Sequence, residues 1–72
     1  MKHKSFNTKI GSKLLRYRRY RGFSQEDLSL TVGINRTYLA RIEEGKANPT
    51  ILLLARILKV LNLDVYTFFK DL

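Results

Sequence analysis

Three hydrogen-bonding side chains, Arg36, Thr37 and Arg41, lie close together in the middle of this 72-residue chain. An arginine can make two parallel hydrogen bonds to the edge of guanine, and threonine offers a hydroxyl or a methyl group, so this set suits the reading of base edges. Catalytic chemistry has far less to work with. The chain contains no cysteine and one histidine, His3, which is expected to be solvated near a frayed terminus. It has no glycine-rich phosphate loop and no pair of carboxylates in an expected cleft. An enzyme is therefore not expected, nor a cofactor, a metal or a small-molecule ligand.

Charge points the same way. Fourteen Lys and Arg oppose six Asp and Glu, a formal net charge of +8, and eight of the fourteen fall within residues 1–21, where there is no acid. Such a surface attracts polyanions, either nucleic acid or an anionic membrane; the bland alternative is a solubilising coat. No apolar run is long enough to span a bilayer. The first residues, Met-Lys-His-Lys-Ser-Phe-Asn-Thr-Lys, lack the apolar centre of a signal peptide, so a cytoplasmic protein is expected. The absence of cysteine fits a reducing compartment.

The elements that must position Arg36, Thr37 and Arg41 follow from apolar spacing and capping residues. Helix 1 is expected over about Thr8–Tyr20, with Ile10, Leu14 and Tyr17 inward, and Lys9, Ser12, Lys13, Arg16 and Arg19 outward. Ser24 caps helix 2, and the acids of its first turn suit the helix dipole. Leu28 and Val32 face inward, and Gly33 permits a tight turn. Asn35 caps helix 3, about Arg36–Glu44, whose buried side is Leu39 and Ile42. Thr50 caps helix 4, about Ile51–Leu61, with Ile51, Leu54, Ile57, Leu58 and Leu61 on an apolar face. Asp64 caps helix 5, about Val65–Lys70, which buries Val65, Phe68 and Phe69. The class is all-α, a single compact five-helix domain over residues 1–72.

Helices 2 and 3 are each marginal in isolation. Joined at Gly33 and buried against helix 1, they form a helix-turn-helix over about residues 24–45. An ordinary helical hairpin would account for Leu28, Val32, Leu39 and Ile42 equally well. It would not account for an exposed flank of Arg36, Thr37 and Arg41, nor for the delay of the acids of helix 3 until Glu43 and Glu44.

These residues also carry a resemblance. "RGFSQEDLS", "VGI", the Tyr38-Leu39, Ile42-Glu43 and Gly45 spacing, and "NPT" resemble the phage-repressor and Cro type of helix-turn-helix, the Xre family. The likeness covers about residues 8–69. "NRTYLARIEEGKANPT" further resembles the controller proteins of restriction–modification systems.

The resemblance implies a lambda-repressor-like fold and roles for particular residues. Arg36, Thr37 and Arg41 match base-reading positions, as does Gln25, which matches a residue contacting a phosphate or a terminal base. Ser24, Asn35, Tyr38, Lys46 and Asn48 match phosphate-contacting positions, with Tyr38 equally suited to covering the core. Arg18 and Glu43 match a partly buried structural ion pair. Ser29 stands where the family usually has Ala, and its hydroxyl is expected to bond back to a helix carbonyl.

One reading helix covers only a few base pairs, and family members commonly pair two on a two-fold-symmetric site. The chain has apolar surplus for a homodimer in residues about 51–72: Leu52, Leu53, Val60 and Phe69, extended by Leu72. The expected function is a sequence-specific transcriptional regulator that binds double-stranded operator DNA as a homodimer, in the manner of a controller protein. The alternatives are a phage or mobile-element repressor and an antitoxin-type adaptor that binds DNA for a protein partner. A membrane-active peptide would need one long amphipathic helix, and RNA binding would need grouped stacking aromatics.

Overall fold

The computed structural model describes residues 5–72, so the expectation for His3 lies outside the described residues. Five helices follow in order: α1 (Phe6–Tyr20), α2 (Gln25–Val32), α3 (Arg36–Glu43), α4 (Ile51–Val60) and α5 (Val65–Lys70), and no strand occurs among the described residues. Each N-terminus is fixed by a side chain of the preceding residue. Ser24 accepts from the Asp27 N–H, Asn35 from Thr37 and Tyr38, Thr50 from Leu53 and Asp64 from Thr67. These are the four caps expected from the sequence. α1 begins two residues earlier than expected, because Ser5 caps it through the Thr8 N–H.

The core joins all five helices: Ile10 and Leu14 from α1, Leu28 and Val32 from α2, Leu39 and Ile42 from α3, Leu54, Ile57 and Leu58 from α4, Leu61 just after it, and Phe68 from α5. Tyr17 is half-buried against this cluster. α1 and α3 approach closely because Gly11 has no side chain. A β-carbon there would stand 2.7 Å from the Glu43 carbonyl oxygen and nearer still to that of Ile42. Gly33 ends α2 in the left-handed region, φ 88°, which favours glycine.

Three burial expectations are corrected. Lys13 does not project outward; it is 8% exposed. Its aliphatic stem lies along the core, and its ammonium donates to the Phe68 carbonyl at the end of α5 and sits over the Phe68 ring. Ile51 and Val65 are exposed rather than buried. Each is the first residue of its helix, and side chains there tilt back past the packed turns. Among the described residues, no helix is long and apolar enough to cross a membrane.

Candidate nucleic-acid interface

α3 is held from beneath by a buried polar network. Arg18 Nε donates to Glu43 Oε2 at 2.6 Å and its Nη2 to Glu43 Oε1 at 3.1 Å, while Nη1 donates to the Phe23 carbonyl at 2.8 Å. Both charged residues are buried. This is a two-pronged arginine–carboxylate contact, whose planar geometry fixes orientation as well as distance. One arginine thus ties α1 to the last turn of α3 and to the segment that leads into α2.

Gln25 joins the same network. Its Nε2 donates to Glu43 Oε1 at 3.0 Å, and the residue is half-buried. The side chain expected at the DNA therefore has its amide nitrogen engaged inside the protein. No local pattern announces this contact, because Gln25 and Glu43 meet only once α2 and α3 have packed.

The opposite flank of α3 is open. Arg36, Thr37 and Arg41 are all exposed, as is Asn35 at the cap. Arg41 Nη2 donates to the Lys46 carbonyl at 2.9 Å, so this guanidinium also braces the loop after α3 and keeps its other N–H groups outward. Tyr38 is half-buried and packs on the core, which favours the covering role for its ring. Ser24 is exposed beside the start of α2.

The loop after α3 carries Lys46 and Asn48, both exposed. Lys46 Nζ lies 3.7 Å from Glu44 Oε1, a solvent-exposed pair of little energetic weight. Asn48 accepts a hydrogen bond from the Asn7 side chain of α1. Forty-one positions separate the two asparagines in sequence, and no local pattern links them. Ser29, buried in α2, donates to the Glu26 carbonyl at 2.9 Å, which satisfies its hydroxyl.

The residues expected at the dimer contact belong to α4 and α5. Leu52 is 76% exposed, whereas Leu53, Val60, Phe69 and Leu72 are half-buried and lean on the core. Ile51 at 64% and Tyr66 at 73% exposure add apolar surface to α4 and α5. Among the described residues, no group of three or more His, Cys, Asp or Glu side chains could hold a metal ion.

Comparison with known proteins agrees with this arrangement. A family model described as Helix-turn-helix matches residues 14–68. The HTH-type transcriptional regulator SinR of Bacillus licheniformis is 32% identical over 63 residues, 86% of this chain and 57% of that protein. The chain thus spans little more than half the length of that relative. The restriction-modification controller protein C.AhdI from Aeromonas hydrophila superposes with a TM-score of 0.83 at 27% identity, over 88% of this chain and 96% of that one. The controller C.Esp1396I, solved as a tetramer in complex with its natural 35 base-pair operator, gives 0.83 at 33% identity, over 94% and 91%. The family and these relatives are transcriptional regulators rather than enzymes. With its capped pair of short helices, its Gly33 turn and its match over most of its length, the chain belongs to the Xre-type helix-turn-helix family and is structurally similar to the restriction–modification controllers.

Proposed function

We propose that this protein is a sequence-specific transcriptional regulator that binds a pseudo-palindromic operator as a homodimer and serves as the controller of a restriction–modification system. The carrying observation is the bare, acid-free first part of α3, where Arg36, Thr37 and Arg41 are exposed above a buried Arg18–Glu43 support. A rigid helix with that flank fits the major groove, where its N-terminal residues meet base edges. Arg36 and Arg41 carry most of the discrimination, and Thr37 adds a hydroxyl or methyl contact. Gln25 contributes through its position at the start of α2, its amide shared with Glu43.

Ser24, Asn35, Lys46 and Asn48, all exposed, serve the phosphates, joined by the Tyr38 hydroxyl while its ring covers the core; such contacts set register without reading sequence. The helix-turn-helix occupies residues 24–45, and residues 51–72 form the second-copy contact through Leu52, Leu53, Val60 and Phe69. The controller reading draws support from the relatives. C.Esp1396I is described with its operator, and variants of it at three consecutive residues, an arginine, a threonine and a tyrosine, have also been solved. Arg36, Thr37 and Tyr38 repeat that order of residue types.

A mobility-shift titration tests the assignment of α3. Duplex from the chain's own upstream promoter is expected to bind far better than scrambled duplex. Arg36→Ala and Arg41→Ala should each cost about 1–3 kcal/mol on that duplex and little on the scrambled one. Lys46→Ala should weaken both about equally. Full selectivity in both arginine variants would remove α3 as the reader.

A further inference from the structure

α2 ends without a cation of its own. Glu26 and Asp27 occupy its first turn, but its last turn holds no basic residue. The N–H groups of Gly33 and Ile34 both donate to the Ser29 carbonyl, at 2.8 and 2.9 Å. The later carbonyls of the helix must find partners elsewhere. Arg56 of α4 supplies one, its Nη2 donating to the Val32 carbonyl. The contact lies close beside Gly33, where an added β-carbon would stand 3.3 Å from that same nitrogen. A guanidinium from α4 therefore closes the negative end of α2, the place where a positive charge is most favourable.

The location gives this contact its importance. The turn of the helix-turn-helix begins at the very next residue, and α3 starts from the Asn35 cap. α4 also carries Leu52, Leu53 and Val60, assigned above to the second copy. We propose that Arg56 is a positioning residue: by pinning the end of α2 to α4, it fixes the angle between the reading helix and the dimer face, and so sets the half-site separation that the dimer accepts. It acts through α2 rather than on DNA. The inference rests on the homodimer reading.

The test uses the full chain and a duplex selected from a random library by the wild-type protein. That duplex is then lengthened or shortened by one base pair between its half-sites, and a third duplex holds one half-site alone. The wild type is expected to prefer the selected spacing by about tenfold. In Arg56→Ala that preference should shrink to about threefold or less, with affinity for the single half-site changed by no more than about twofold. Arg56→Lys, which keeps the cation without the planar fork, should recover part of the preference. If Arg56→Ala does not fold, Arg56→Gln, which keeps an N–H donor without the charge, is measured in its place, with the same loss expected.

Equal binding to all spacings by the wild type would overturn the homodimer reading and this inference with it. Clear discrimination by the wild type, kept in full by the Arg56 variant, would overturn the Arg56 assignment alone. So would a half-site affinity that falls as far as the spacing preference does, since that would make Arg56 a support of the fold only.

Discussion

Glu43 accepts three hydrogen bonds, two from Arg18 and one from Gln25, and both charged residues of this set are buried. Glu43→Ala would leave the Arg18 guanidinium in the interior without its carboxylate. The expected loss is about 3–5 kcal/mol of unfolding free energy, measured by urea denaturation. Replacing both partners, Arg18→Met with Glu43→Leu, should cost much less, because no charge is then stranded. The partner residues could be read from the sequence, since both sit at the edge of an apolar face and match the family's pair. The part played by Gln25 could not, because a glutamine in the first turn of a helix looks free until another element arrives above it. Lys13 shows the same limit. A lysine on a helix reads as an outward residue, and only its long stem lets the ammonium reach back to the Phe68 carbonyl.

Among the helices, α1 and α3 meet with little room to adjust. At Gly11 the opposing atoms are carbonyl oxygens of Ile42 and Glu43, part of the backbone of α3. Gly11→Ala must therefore push the two helices apart. A loss of about 1–3 kcal/mol or more is expected, read as a lowered midpoint of thermal unfolding. Gly22→Ala is the control: nothing lies within 4 Å of the added carbon, and only the left-handed backbone, φ 81°, opposes it. That costs about 1–2 kcal/mol. The starts of α2 to α5 were legible because short polar caps announce them locally. The start of α1 was not, since its apolar period begins only at Ile10 and the Ser5 cap stands well before it. Ile51 and Val65 were misjudged for a related reason: periodicity gives the face of a helix, but not where along its length the neighbouring elements stop.

For the molecule as a whole, the homodimer proposed above would use the apolar side chains that α4 and α5 leave outside the core. Leu52→Glu adds a charge at a position 76% exposed in the monomer, so the fold should be kept. On the homodimer reading, sedimentation should then show a monomer at concentrations where the wild type gives a dimer, and operator affinity should fall while single half-site binding persists. A variant that still sediments as a dimer would remove Leu52 from the contact. This surface was only partly legible. The surplus of leucines was plain, but Leu53, Val60 and Phe69 divide their area between the core and the outside, a division that depends on how α4 and α5 tilt.

The Lys13 contact with the Phe68 carbonyl, and the stacking of the Phe6 ring on Phe69 with centroids 6.3 Å apart, join the first helix to the last. On the ribosome these partners are made at opposite times. Most of the apolar flank of α1 packs with α2 and α3, so only this seam depends on Phe68 and Phe69. A chain cut before Phe68 would lose a ring that lies within the core and the carbonyl that holds Lys13, leaving the apolar floor beneath both open to water.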